Sequence, residues 1–592
     1  MKVFGRVFFA LFIICILFFK FPPEVLAISQ FSTDYNITYT VLPDGLTQVT
    51  YEINQTNNLS AVYATNFSLS LSEDDVQNVR VVDTAGELYP NITKTANITL
   101  ISFDFKGKVA GRGKVNKFSV SYQTKDVASK VGSVWEINIP RLVTDEAANS
   151  VTITLIVPED IGEPAYISPS PSQAQGNIYT FNSASLANRP ISAVFGQEQF
   201  FEFTLYYNLE NPGNTKAGVE IALPPDTAYQ KVYYQTLEPL PKNIKTDKNG
   251  NWIATLELEA KQNLKFKASG VANLNMLPKK TALENKDYFL KETLLWPTNS
   301  SVIKNELQNL KDIKAIYDYV VGSLTYDYSR LSKDQVRPGA LFALENKDQA
   351  ICTEFTDLFI TFARSLGIPA REIQGYAYST NEKLRPTSLD RDVLHAWPEY
   401  YDLSRQTWVQ VDPTWGNTTA GIDYFNKLDL NHFAFAIHSD DVTDPLPAGA
   451  YKTVTSNGRD VYINPVSEVE FPKENVDFEI ISLTPNQATL LIKNRSAVGS
   501  NGNLQIENGG EKQTIFISLA PNEEKELKIG LKSSSSKLLL KYNDKKYQFN
   551  FNSWDIIKTN TLPVIFIVLG IITIIAGYLY FSRQRRKPPL HW

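Results

Sequence analysis

Ile351-Cys352-Thr353-Glu354-Phe355-Thr356-Asp357-Leu358-Phe359, running on into Ala363-Arg364-Ser365-Leu366-Gly367-Ile368-Pro369, is the stretch on which the fold turns. Apolar residues at Phe355, Leu358, Phe359, Phe362 and Leu366 recur at intervals of three and four, the period of one buried helical face. Gly367 and Pro369 end that run, a glycine just past the last turn and then a residue that cannot continue it. Cys352 therefore opens an amphipathic helix, where the positive end of the helix dipole favours thiolate over thiol. The 592-residue chain has only 2 cysteines, and the other, Cys15, lies in an N-terminal apolar stretch. No disulfide framework can be built from that, so Cys352 is either a small buried hydrophobe or a reactive group.

A thiolate nucleophile needs a base, and the base needs a group that orients it. Three histidines, His395, His432 and His438, precede the extreme C-terminus. His395 begins a strand-like run, Leu394-His395-Ala396-Trp397-Pro398-Glu399-Tyr400-Tyr401. A polar turn, Asp402 to Gln406, leads into Trp408-Val409-Gln410-Val411-Asp412, with Trp408, Gln410 and Asp412 on one face. Two antiparallel neighbours would bring His395 and Asp412 side by side. His432 and His438 sit in an apolar strand-like run and read as core-edge or surface residues. Glu354 and Asp357, in the first turns of the helix, suit its dipole and are given no chemistry. One cysteine and scattered histidines, without C-x-x-C or H-E-x-x-H, predict no metal and no other cofactor.

From about Ile313 to Phe435 the sequence resembles the catalytic core of the transglutaminase-like superfamily, a papain-like thiol fold. The matching blocks are Ile351 to Phe359, Ala363 to Arg371, Gln374-Gly375-Tyr376, His395-Ala396-Trp397 and Val411-Asp412-Pro413-Thr414. The resemblance implies Cys352 as nucleophile, His395 as general base and acid, and Asp412 as the residue that fixes the imidazole. It also implies an oxyanion-site aromatic at Tyr326, while Tyr376, Trp397 and Trp415 are candidates for the cleft lining. One position departs from the family pattern: Ala350 stands where a glycine usually precedes the nucleophile by two residues.

The rest of the chain reads as β modules and membrane-targeting ends. Tyr35, Ile37, Tyr39 and Val41 alternate, Pro43-Asp44-Gly45 turns the chain, and Val49, Tyr51 and Ile53 alternate again, a hairpin signal. Similar alternation over 151–157, 201–206 and 252–258 predicts two β-sandwich modules, 28–160 and 161–280, with the Ser/Pro-rich stretch 168–176 as a linker. The α+β core is expected over 281–448 and a C-terminal β-sandwich stalk over 466–553. Lys2 and Arg6 ahead of the apolar run Val7 to Phe19 predict a signal peptide over 1–27. Leu562 to Phe581 carries no charge and is followed by Arg583, Arg585, Arg586 and Lys587. That predicts one membrane-spanning helix with 582–592 as a basic cytoplasmic tail, a single-pass type I arrangement.

The formal net charge is −5 and no basic patch stands out, which argues against nucleic acid as a partner. The expected activity is acyl transfer on a protein or peptide at the cell surface, by hydrolysis or by transfer to a lysine amine. A non-catalytic surface-binding protein built on the same core is the competing expectation. Neither the oligomeric state nor the acceptor follows from these residues.

Overall fold

The computed structural model describes residues 29–95, 98–143, 148–332, 337–379, 392, 394–419, 422–426, 428–452, 458–484, 486–531, 537–551 and 572–579. The chain divides into two compact units, the first formed by 1–129, 137–162 and 167–192, the second by 130–136, 163–166 and 193–592. In the first unit the expected hairpin pairs Tyr35 with Ile53, Ile37 with Tyr51 and Tyr39 with Val49, all six buried. It lies inside an eight-stranded sheet, where Phe31–Val41 also runs parallel to Ser150–Ile156. A three-stranded sheet packs against this one through Phe67 and Phe118, whose ring centroids are 4.9 Å apart. The stretch 168–176 is not a linker between modules. Gln173–Gln175 pairs with Ile178–Asn182, which pairs in turn with Ser150–Ile156, so the first unit runs to 192 and not 160. The alternating run Ile178-Tyr179-Thr180-Phe181, with Tyr179 and Phe181 buried, outweighs the loop-like composition ahead of it.

The second unit begins with a β module of two sheets. In one, Gln230–Glu238, Asn263–Asn275, Glu198–Glu210 and Val461–Val466 lie in that order. Ala217–Leu223, Trp252–Leu258 and Asn243–Thr246 form the other. Val461–Val466 follows the α+β core in sequence yet pairs with Glu198–Glu210, Phe203 opposite Ile463. The core is thus an insertion into this module, closed at both ends by one sheet. Beyond it, seven strands between Val476 and Asn550 make a separate pair of sheets around Leu490, Ile492, Leu504, Ile506 and Leu540.

The core domain carries helices α1 (Ser301–Glu306), α2 (Ile313–Ser323), α3 (Ala340–Glu345), α4 (Cys352–Ser365) and α5 (Pro413–Thr418). Its sheet is built from β1 (Ala370–Ala377), β2 (His395–Asp402), β3 (Thr407–Gln410) and β4 (His432–His438), in the order β3-β2-β1-β4, all antiparallel. The apolar face of α4 packs Phe355, Leu358, Phe359 and Phe362 against Tyr317, Val320, Val411 and Trp415. The outer edge of β4 would present bare backbone groups. Two amides of the β module satisfy it: Gln230 bridges the N–H and C=O of Ala434 at 2.8 and 3.1 Å, and Asn251 those of Ile437 at 2.7 and 2.8 Å. That seam holds β4 in register against the module.

Among the described residues no helix is long and apolar enough to cross a membrane. Of the expected span 562–581 the described part is 572–579, which is helical. The remainder of that span, the tail 582–592 and the expected signal 1–27 lie outside the described residues.

Candidate functional site

The helix α4 starts at Cys352, a free thiol only 8% exposed. Its start is pinned from two sides. Glu354 turns back so that Oε2 accepts the Ile351 N–H at 2.8 Å, and the same oxygen takes Arg330 Nη1 at 3.0 Å. Tyr326 bridges to Ala350, and the Asp327 N–H donates to the Ala350 carbonyl at 2.8 Å. Ala350 is fully buried, so the extra methyl relative to the family pattern is absorbed by the core.

His395 opens β2 and faces Gly375 across the β1–β2 ladder. Glu399 pairs with Gln410 and Tyr400 with Val409, so Asp412 falls just past the end of β3. It is not a ladder partner of His395. There it becomes the N-cap of α5, with Oδ1 accepting the Trp415 N–H at 3.0 Å and Pro413 in the first turn. Its other oxygen, Oδ2, lies 2.9 Å from His395 Nε2. With Nε2 committed to the carboxylate, Nδ1 is the nitrogen left for the Cys352 side chain, which acts on this ring electrostatically. Cys352, His395 and Asp412 are thus brought together from a helix start, a strand start and a helix cap.

Electrostatics follow from the burial of all three. Burial alone would lower the His395 value; the Asp412 carboxylate and the Cys352 side chain outweigh it and raise it to about 9. Burial pushes Asp412 the other way, but His395 and His432 hold its carboxyl well below the usual range. Burial and then the Cys352 charge push the Tyr326 hydroxyl far above the ordinary tyrosine value, so it remains an O–H donor near the thiol at any working pH. Its ring stacks edge-on with Tyr328 at 4.9 Å.

The expectation for His432 is overturned. It is neither surface nor core edge but 3% exposed, with Nε2 3.1 Å from Asp412 Oδ2 and Nδ1 2.8 Å from Asp429 Oδ1. His438 is fully buried as well, its Nε2 2.8 Å from the Pro445 carbonyl. The cause is register. β4 pairs with the inner strand β1, Ala377 opposite His432, two residues along from the Gly375 that faces His395, so both imidazoles share one face. The candidate cleft residues are buried too. Trp397 and Trp415 lie nearly parallel to the His395 ring at 5.8 and 5.3 Å, and Tyr376 belongs to the apolar cluster shared with the β module. The two tryptophans therefore wall the imidazole in, and none of the three is exposed.

Glu354 and Asp357, the acids in the first turns of α4, are paired inside the fold. Both are fully buried, Glu354 with Arg330, and Asp357 with Arg337 at 2.9 Å and Trp296 at 2.6 Å. Arg364 and Arg371 hold the far end, donating respectively to the Ala370 carbonyl and to Glu399. Ligand atoms of His395, Asp412 and His432 all lie within 4.8 Å of one another, the spacing a cation would need. Both Nε2 atoms are already spent on one carboxylate oxygen, and a metal there would take from His395 the contact that orients it toward Cys352.

Residues 298–413 match the family model described as the transglutaminase-like superfamily. This segment is a transglutaminase-like domain. The match contains Cys352, His395 and Asp412 and stops short of Asp429 and His432. No curated protein matches the chain. Among solved structures it is similar to a candidate cysteine protease from Cytophaga hutchinsonii, 16% identical, covering 47% of this chain and 93% of that one with a TM-score of 0.33. It is also similar to the periplasmic domain of TgpA from Pseudomonas aeruginosa, bound there to ethylmercury. That likeness is 13% identical and covers 37% and 91% of the two chains with a TM-score of 0.21.

Proposed function

We propose that this protein is a thiol acyl-transfer enzyme that hydrolyses amide bonds in a protein or peptide. The observation that carries the reading is the placement of one imidazole, His395, between Cys352 and Asp412, with Nε2 2.9 Å from the carboxylate. His395 holds Cys352 as a thiolate–imidazolium pair, and the thiolate attacks the substrate carbonyl carbon. The backbone N–H at the start of α4 and the Tyr326 hydroxyl are the donors for the developing oxyanion. As the C–N bond breaks, the leaving amine takes its proton from His395 and a thioester on Cys352 remains. Water, deprotonated by His395, then attacks the thioester, releases the carboxylate product and restores the thiolate. The sequence pattern of 1–27 and 562–587 supports a domain held outside the cytoplasm by a single anchor.

The test is to incubate the full-length protein with fluorescent casein, with and without a dansylated alkylamine, beside Cys352→Ala. Peptide release that needs Cys352 and is indifferent to the amine supports hydrolysis. Cys352-dependent incorporation of the amine would make the protein a crosslinking acyltransferase instead. Absence of both, with Cys352 no more reactive in the wild type than in His395→Ala, would return the domain to a binding role.

A further inference from the structure

His432 is tied at both ring nitrogens to carboxylate oxygens, Asp412 Oδ2 at 3.1 Å and Asp429 Oδ1 at 2.8 Å. An imidazole has only one N–H when neutral, and its other nitrogen would then turn a lone pair onto a carboxylate. Only the doubly protonated ring donates in both directions. Asp429, 6% exposed, lies three residues before His432 in the loop leading to β4, and its Oδ1 also accepts the Asn431 N–H at 3.0 Å. Its Oδ2 has no donor among the described residues, so the charge of this buried carboxylate is balanced by His432. Asn431 in turn donates to the buried Glu136 at 2.7 Å.

We propose that His432, held by Asp429, is a positioning residue: a second imidazole, charged at neutral pH, that fixes Asp412 and limits its pull on the His395 proton. The inference rests on the proposed thiol chemistry and assigns a role to two residues beyond the matched segment. The charged and titratable groups facing His432 among the described residues are Asp412, Asp429 and His395, whose ring centroid lies 5.6 Å from its own, with Glu136 reached through Asn431. The resulting order is thiolate, cation, anion, cation, anion, from Cys352 to Asp429. His432 adds no atom to the reaction. It occupies one acceptor direction of Asp412 Oδ2, so that His395 comes to the carboxylate from the side of Cys352. Its positive charge also opposes that of His395, so the His395 proton leaves more readily to an amine.

The experiment measures the alkylation rate of Cys352 by iodoacetamide between pH 5 and 10 in the full-length protein, read on the Cys352 peptide by mass spectrometry. Wild type, His395→Ala and His432→Gln are compared. Glutamine keeps a donor toward Asp412 and removes the charge. The expected result is a profile that depends on His395 in the wild type and moves upward by about one pH unit in His432→Gln. A His432→Gln profile that superimposes on the wild type overturns the inference while leaving the thiol reading in place. A wild-type profile indifferent to His395 overturns the thiol reading and the inference with it. A second measurement does not depend on the variant folding. Ring 15N resonances of the wild type, whose chain has 4 histidines, should show His432 protonated on both nitrogens from pH 6 to 8. A neutral His432 ring at pH 7 overturns the proposal.

Discussion

Asp412 caps a helix with one carboxylate oxygen and holds His395 with the other: Oδ1 accepts the Trp415 N–H at 3.0 Å while Oδ2 lies 2.9 Å from His395 Nε2. The cap fixes the carboxylate before any substrate arrives, because moving Asp412 would also unseat α5 and the buried Trp415. Structure and charge can be separated here by substitution. Asp412→Asn keeps the cap but turns an amide N–H toward His395, favouring the tautomer that presents N–H to Cys352. Casein hydrolysis is expected to fall by about 10²-fold or more, and the unfolding midpoint at neutral pH to drop only by what the missing charge contributes. Asp412→Ala should lose as much activity and an additional ~1 kcal/mol of stability from the cap. Equal activity in Asp412→Asn and wild type would sink the assignment of Asp412.

Gly375, between the two imidazole-bearing strands, has no room for a side chain. A Cβ there would lie 2.1 Å from the Phe433 carbonyl oxygen and 2.9 Å from the Trp397 indole. The first of these is backbone of β4, so relief requires β1 and β4 to part next to His432. Gly375→Ala is expected to lower the unfolding temperature by several degrees, in line with overpacking costs of about 1–3 kcal/mol. It should also slow Cys352 alkylation, since His395 pairs with Gly375 across the other ladder. A variant with an unchanged melt and unchanged alkylation would mean that the strands yield at no cost.

Much of this site was legible in the sequence, and the reason is local. The helix opened by Cys352 announces itself through a 3.6-residue apolar period and the Gly367–Pro369 stop, and the structure gives Cys352–Ser365 with Gly367 at φ 76°. His395 and Asp412 lie 17 residues apart, at the two ends of the β2–β3 hairpin, a separation that its short turn accounts for. His432 was not legible, because a histidine among Phe433, Ala434, Phe435 and Ala436 looks like packing until the register of β4 on β1 is known. The spacing of Asp429 and His432, a carboxylate three residues ahead of an imidazole, was the one signal that could have raised the question. Strand Val461–Val466 escaped for a similar reason, since its partner Glu198–Glu210 lies on the far side of the whole core. The burial of Glu354 and Asp357 is supplied by Arg330 and Arg337, which sit upstream of the helix and carry no periodic signature.

Stability should decline on the alkaline side in a way set by the two site histidines. Burial opposes their charge, yet neighbouring carboxylates raise both His395 and His432 to about 9, above the ordinary value near 6.5. A group whose folded value is raised stabilises the fold fully below its unfolded value and stops doing so as pH rises through the folded value. The unfolding midpoint of the core is therefore expected to drop between pH 7 and 10. The slope should be shallower in His432→Gln, which has one such group fewer. Asp412 acts in the opposite direction: its lowered value contributes stability above about pH 4 that is lost on further acidification. A wild-type midpoint flat from pH 7 to 10 in scanning calorimetry would contradict the charged state assigned to both rings.

Arg337 supports α4 from behind. It donates through Nε and Nη2 to Asp357 at 2.9 and 2.5 Å and through Nη1 to Glu372 on β1 at 2.7 Å. Helix and sheet are thus tied by one guanidinium, whose side chain is 14% exposed against two carboxylates that are fully buried. Even so paired, Asp357 is pushed up to about 6 by burial, with Arg337 holding it down. Arg337→Leu removes the guanidinium that faces both carboxylates; His438 Nδ1 stands 3.6 Å from Glu372. Breaking a buried pair from one side costs about 3–5 kcal/mol, because the remaining charge has nowhere to go. The carboxyl groups can escape that cost by taking up protons, which raises their folded values above the unfolded ones. The penalty in Arg337→Leu should therefore be small near pH 5 and grow as pH rises toward 8. Thermal midpoints of the variant and the wild type across that range check it, and a gap that narrows with rising pH would show that the buried acids are compensated by something other than Arg337.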